Sequence, residues 1–117
     1  MVIYYDGDSD DDSDNKLQIL FSYSNPITVV NNAKKYLGDD VKVYISEKSN
    51  KKYKIFNKNN GKWSHFGQYD PPMQDYTYHK DKERQRKYLA RATKIKGSWR
   101  DDKFSPNNLS INLLWSD

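Results

Sequence analysis

Two kinds of hydrophobic spacing divide this chain. Apolar and polar residues alternate, as is typical of half-buried strands, in four segments: residues 17–23, 41–45, 52–56 and 62–66. Apolar residues recur at helical spacing over residues 27–37 and 88–95. With a short apolar segment at the start, these patterns predict an α+β fold in the order ββαβββαα.

The predicted strands form two groups. Val2–Tyr5 and Leu17–Tyr23 are expected to pair as a hairpin, joined by a solvated acidic loop over residues 6–15. Asn60-Gly61 is a strong tight-turn signal, because both residues tolerate positive φ. We therefore expect the three later strands to form an antiparallel meander.

The predicted helices have recognisable ends. Ser24-Asn25-Pro26 supplies a capping side chain and a proline at a helix start, and Gly38 follows the last apolar position of that helix. A second helix is predicted from about Tyr78 to Lys96, ended by Gly97. Ser105-Pro106 predicts a short final helix. Alternation at Leu109, Ile111 and Leu113 also allows a terminal strand, so both alternatives stay open.

Composition limits the class of protein. The 117 residues are expected to form a single domain over residues 1–117. Mean hydropathy is −1.12, but aromatic residues make up 15%, which argues against wholesale disorder. Cysteine is absent, which excludes disulfides, thiolate catalysis and thiolate zinc sites and suits a reducing compartment. We expect no signal peptide and no membrane span, since no apolar run approaches ~20 residues.

Charge is distributed unevenly. The first forty residues carry 3 Lys and Arg against 8 Asp and Glu, and six of these acids crowd residues 6–14. From Val41 onward, 17 basic residues face 8 acidic ones. A basic chain with a sequence pI of about 9.1 suits a polyanionic partner, whereas the acidic run is expected to compete with such a partner for the basic surface.

The candidate nucleic-acid-binding residues come mainly from the second long helix. Arg84, Lys87, Arg91 and Lys94 follow one another at spacings of three, four and three, so they share a helix face. Together with Lys54 they could contact successive phosphates. The alternative is an ordinary solvated face in which Glu83 pairs with a neighbouring lysine.

A second candidate surface is the outer face of the meander. If Val43 and Ile55 point inward, then Lys42, Tyr44, Lys54 and Phe56 alternate onto the other face. Rings between lysines can stack on single-stranded nucleic acid. With two or three helices to place, however, we expect a helix to cover this face.

A catalytic interpretation is weaker. His65, His79, Asp81 and Glu83 could in principle bind a metal, but Asp81 and Glu83 point in different directions on a helix and fit no metal-binding helix motif. Thr77 or Asp75 more simply caps the helix and His79 packs at its start. The alternating acids of residues 6–14 lack the glycine and glutamate of a calcium loop. We expect no enzyme activity, no cofactor and no metal.

Several short motifs between Lys51 and Trp115 resemble a known family. They are Lys52–Asn57, His65-Phe66-Gly67, Asp75-Tyr76-Thr77, His79-Lys80-Asp81 and the closing Asn108–Trp115. The chain resembles a family of small uncharacterised proteins of giant nucleocytoplasmic large DNA viruses. The resemblance implies a viral origin and a location in the virion or the interior of an infected cell. It carries no activity.

The sequence therefore predicts a non-enzymatic viral protein that binds DNA or RNA with little sequence preference through a basic helix face. The alternative is a virion structural or protein-interaction module, with viral proteins as partners and an apolar patch around Trp99, Phe104 or Trp115 as its contact surface.

Overall fold

The computed structural model describes residues 3–4 and 11–117, with the backbone alone for residues 11–14. The helices are α1 (Asp11–Leu20), α2 (Pro26–Leu37), α3 (Tyr76–His79), α4 (Lys82–Ala92) and α5 (Pro106–Leu109). The strands are β1 (Tyr44–Ile45), β2 (Lys51–Asn57) and β3 (Lys62–Gln68). A 3₁₀ turn covers Trp99–Asp101, and a π-helical turn, Ser110–Leu114, continues α5. The α+β class is confirmed, but the predicted element order is not.

The predicted strand over Leu17–Tyr23 is wrong, and the N-terminal hairpin with it. Residues 11–15 of the predicted acidic loop belong to helix α1, while residues 6–10 lie outside the described residues. The alternation of apolar residues does not match the observed burial. Ile19 and Phe21 occupy apolar positions of the pattern but are exposed, whereas Leu20, between them, is fully buried. Acidic residues at the positive end of a helix also favour helix over strand.

Helix α1 is tied to the sheet by one lysine. The Lys16 ammonium donates hydrogen bonds to the carbonyls of Ser46, Lys48 and Lys51, at 2.7, 2.9 and 2.6 Å. Burial lowers the pKa of Lys16 to about 8, although the negative charge of Glu47 acts to raise it. The contact fixes the turn between β1 and β2, which orders the start of the sheet.

Helix α2 forms as the sequence predicts. Asn25 Oδ1 accepts hydrogen bonds from the N–H groups of Ile27 and Thr28, and Pro26 occupies the first turn, where a missing N–H costs nothing. Gly38 ends the helix with a φ of +111°. Val29, Val30 and Ala33 face the core and are buried.

The meander is confirmed. The strands are antiparallel in the order β1-β2-β3, with Tyr53 opposite Phe66 and Phe56 opposite Trp63. Tyr4 adds an isolated parallel bridge to Tyr44. β1 is shorter than the alternation over residues 41–45 predicts. One face of the sheet therefore carries Tyr53 and Phe66, and the other carries Phe56 and Trp63.

The C-terminal segment is helical and closes the core. α5 and the π-helical turn pack against α2 and β3, and Leu109 and Leu113 are fully buried. Asn32 Nδ2 donates to the carbonyl of Leu113 at 3.0 Å. The terminal-strand alternative is wrong, because the cap formed by Ser105 Oγ on the N–H of Asn108 starts a helix as the Ser-Pro signal predicts.

The single helix predicted over Tyr78–Lys96 is two helices. Lys80, in the left-handed region at φ +54°, ends α3. Asp81 then caps α4, its Oδ1 accepting from the N–H groups of Glu83 and Arg84. α4 stops at Ala92, four residues before Lys96. Helical spacing alone cannot reveal such a break, because the residues around it, His79–Glu83, are all polar or charged and offer no apolar position that would mark a change of face.

Candidate nucleic-acid interface

Three cations form one side of α4. Arg84, Lys87 and Arg91 are all exposed, and they line a groove of about 180 Å³ together with Gln74 and Trp115. Their spacing of three and four residues brings the side chains together. We call these three residues the basic side of α4. It presents three positive charges to solvent within about two helical turns.

Lys94 does not extend this helical row. Lys94 is exposed, but it lies beyond Ala92, where α4 ends. Its backbone N–H donates to the carbonyl of Arg91, which places it in a turn. The sequence prediction assumed that helical spacing continued to Lys96. Lys94 therefore lies next to the basic side of α4 without sharing its register.

The acidic groups near α4 bond mainly to other cations. Glu83 pairs with Arg86 at 2.5 Å and lies 3.9 Å from Lys87. Lys82 pairs with Asp117 at 2.6 Å. Both pairs are exposed, so each contributes little to stability. Arg84 donates to the neutral Gln74 Oε1 at 3.2 Å. The Glu83–Lys87 pair that the solvated-face alternative predicts is thus present, but it is long and exposed, so the basic side of α4 still presents its charge to a ligand.

Lys54 does not occupy the predicted exposed position. Its side chain is fully buried, and its ammonium pairs with Glu47 at 2.7 Å. The same ammonium lies 4.3 Å from the centre of the Trp63 ring. The expectation that Lys54 faces open solvent is therefore wrong, because neighbouring aromatic rings cover it.

Those rings form a continuous row on the outer face of the sheet. Ring centres are separated by 5.3 Å between Tyr4 and Tyr44, 4.9 Å between Tyr44 and Trp63, and 5.4 Å between Trp63 and Phe56. The two contacts of Trp63 are edge-to-face, a favoured aromatic arrangement. We call Tyr44, Phe56 and Trp63 the aromatic row.

No described helix covers the outer end of this row. Phe56 is 45% exposed and Trp63 is 37% exposed, so the expectation of a covering helix is wrong for these two rings. The row lines a groove of about 340 Å³, whose other walls include Val41 and Phe104. The exposed Lys42 and Lys58 also line it, together with the acidic Asp40.

A Ser-His-Glu arrangement lies beside Lys54. Ser46 Oγ is 2.8 Å from His65 Nδ1, and His65 Nε2 is 4.0 Å from Glu47 Oε2. Burial would raise the pKa of Glu47, but the hydrogen bond and charge of Lys54 bring it below its usual range. Ser46 is 1% exposed, so a substrate cannot reach its hydroxyl as a nucleophile. The cluster joins β1 to β3 and gives no support to catalysis.

His79 packs where the sequence predicts. Its ring lies between those of Tyr76 and Trp115, and Nδ1 accepts from the N–H of Asp81 at 2.9 Å. Burial and the nearby Arg84 lower its pKa. Asp75 caps α3, one of the two alternatives from the sequence. His79 therefore connects α3 to α4 and to the C-terminal segment.

The apolar patch predicted around Trp99, Phe104 and Trp115 is wrong. Phe104 and Trp115 are buried, and Trp115 stacks on Tyr88 with ring centres 4.1 Å apart. Trp99 is half-buried and donates from Nε1 to the carbonyl of Ile95 at 2.6 Å, so it anchors its loop. Phe56 and Trp63, on the outer face of the sheet, are exposed instead.

The described side chains, those of residues 3–4 and 15–117, include no group of three or more His, Asp and Glu placed to bind a metal ion. No helix within residues 11–117, where the described helices lie, combines the length and the apolar character needed to cross a bilayer.

Part of the chain matches a known protein family. Residues 41–92 match a family of unknown function, DUF5754. No curated protein and no solved structure matches the chain. The matched segment contains the whole sheet, the aromatic row and the basic side of α4. It leaves out α2 and α5, which complete the core, so the match covers both candidate surfaces but not the whole fold.

Proposed function

We propose that this protein binds DNA or RNA through the basic side of α4, with little preference for base sequence. One observation carries the proposal: Arg84, Lys87 and Arg91 are exposed together along one groove, while the adjacent Glu83 bonds most closely to Arg86. Phosphates are spaced regularly along a nucleic acid, so a row of cations can neutralise several at once.

The chemistry of these side chains supports contact with phosphates rather than with bases. Arginine offers a planar fork that suits a phosphate, and lysine offers a point charge. Such contacts position a protein on a nucleic acid but carry no sequence information. Following the resemblance to viral proteins, we propose that this binding takes place in the virion or inside an infected cell.

The test is a salt series. Affinity for generic DNA and RNA should fall steeply from low to moderate salt, because each neutralised phosphate releases counterions. Lys87→Gln with Arg91→Gln should weaken binding at low salt. It should also reduce the slope of log affinity against log salt by roughly one to two.

A charge-matched control distinguishes binding at α4 from binding that depends only on the net charge of the protein. Lys34 and Lys35, in the last turn of α2, are exposed. Lys34→Gln with Lys35→Gln removes the same charge away from α4, so the slope should stay at its wild-type value. If both double variants lose affinity equally, binding is a property of overall charge. If the wild-type chain fails to bind even at low salt, the proposal is rejected.

A further inference from the structure

The aromatic row has the geometry of a stacking surface. Trp63 and Phe56 lie opposite each other on neighbouring strands, so the sheet fixes their spacing. Edge-to-face contacts with Tyr44 and Phe56 hold the Trp63 ring in place. Rings fixed in advance lose little side-chain entropy when a ligand binds. Such a surface suits a flat ligand.

Its charges complement a phosphate backbone. The Lys54 ammonium lies close to the Trp63 ring and is neutralised by Glu47, so it positions the ring rather than meeting the ligand. Lys42 and Lys58 are exposed at the edge of the groove and outnumber the one acid there, Asp40. A flat ligand that carries negative charge beside its ring fits both features.

We propose that the aromatic row binds an unpaired nucleobase, which makes single-stranded nucleic acid the preferred ligand of this protein. The inference rests on the proposed function, since it names the kind of nucleic acid bound. In a duplex, bases cover one another's faces, whereas an unpaired base offers a free face to an aromatic side chain. Stacking accepts any base, in keeping with binding that ignores sequence.

A pair of probes isolates the contribution of the bases. A short oligodeoxyadenylate and an abasic strand of the same length carry the same phosphates, so only the first can stack. The wild-type chain should bind the oligodeoxyadenylate about tenfold more tightly than the abasic strand. Trp63→Leu should remove that difference and leave abasic affinity unchanged. Trp63→Phe, which keeps a ring, should restore most of it.

Controls tie the result to this surface. Tyr78 is an exposed aromatic residue on α3, away from the sheet, so Tyr78→Leu should keep the preference. Trp63→Leu loses the ring that covers Lys54, so it should melt below Trp63→Phe. Both variants should remain folded at the temperature of the binding assay, which excludes a folding defect.

Other outcomes separate the two proposals. Equal binding of both probes by the wild-type chain would overturn the stacking proposal and leave phosphate binding by α4 intact. A preference for the oligodeoxyadenylate that survives in Trp63→Leu would have the same consequence. Failure to bind either probe at low salt overturns both proposals. The α4 double variant Lys87→Gln/Arg91→Gln should bind both probes more weakly than the wild-type chain, with the same fold-loss of affinity for each.

Discussion

Lys52 Nζ lies 3.0 Å from Asp75 Oδ2, and each side chain is only 1% exposed. The pair joins the middle of the sheet to the start of α3. The other carboxylate oxygen of Asp75 accepts bonds from the backbone N–H and the hydroxyl of Thr77, and Thr77 in turn accepts from the N–H of Asn25. One buried network therefore connects β2, α2 and α3.

Removing either charge of this pair should destabilise the fold severely. Lys52→Met leaves a buried carboxylate without its cation, and Asp75→Asn leaves a buried ammonium without its anion, each at a cost of about 3–5 kcal/mol. Urea unfolding should show both losses, and Lys52→Met/Asp75→Asn together should cost less than the two added. Lys58→Met, at an exposed position, is the control. Strict additivity would contradict the pairing.

Gly67 should resist substitution. Its φ is +85°, and an added Cβ would lie 3.1 Å from Leu114 Cδ1 and from Lys52 Cβ. Gly67→Ala should lower the free energy of unfolding by about 2 kcal/mol or more, from backbone strain together with crowding. Gly61 has a φ of +71° and open space around it. Gly61→Ala should therefore cost only the backbone part, about 1 kcal/mol, and equal losses would exclude crowding at Gly67.

His79 should make stability depend on pH. Its pKa is lowered in the folded state by burial and by Arg84, so the unfolded chain binds more protons below the ordinary value near 6.5. Stability is then complete above that pH and falls as the pH drops towards the folded pKa. Protonation would also remove the acceptor that Nδ1 offers to Asp81.

Urea unfolding between pH 5 and pH 7.5 checks this dependence. The wild-type chain should lose stability towards pH 5, and His79→Gln should lose less over the same range. His65, whose pKa burial also lowers, and Glu47, whose pKa is lowered beside Lys54, contribute to the remaining slope. Parallel curves for the two proteins would show that His79 does not contribute.

The acidic run should weaken binding to nucleic acid. Deleting Ser9–Ser13 would remove part of this run, but Asp11 begins α1, so the deletion would also shorten that helix. Replacing Asp6, Asp8 and Asp10 with asparagine removes three negative charges and leaves the length of α1 unchanged. Affinity for DNA at low salt should rise, and the gain should shrink as salt screens the charges. An unchanged affinity at low salt would reject competition by the acidic run.

Local signals in the sequence determined much of this fold. The Asn25-Pro26 start and the Gly38 end of α2 were predictable, because caps act through neighbours within four residues. Alternation over β2 and β3 predicted the strands correctly, because Tyr53, Ile55 and Phe66 all face the core. It did not predict the burial of Lys52 and Lys54 on the other face. Alternation at Leu17–Tyr23 was not, because only contacts with distant residues decide which of those side chains are buried.

The surfaces that could carry function depended more on tertiary structure. The row of Arg84, Lys87 and Arg91 followed from helical spacing alone, since three- and four-residue steps share a face. The pairing of Phe56 with Trp63 could not be predicted from the spacing of residues in the sequence. Asn60-Gly61 suggests a two-residue turn, whereas the loop holds four residues, 58–61, and so shifts the register. The sequence predicts Lys54 as an exposed surface cation. In the structure, Glu47 from the turn between β1 and β2 pairs with it, and the Trp63 ring from β3 covers it. Sequence fixes which charges and rings a segment holds, while packing against distant segments decides which of them meet solvent.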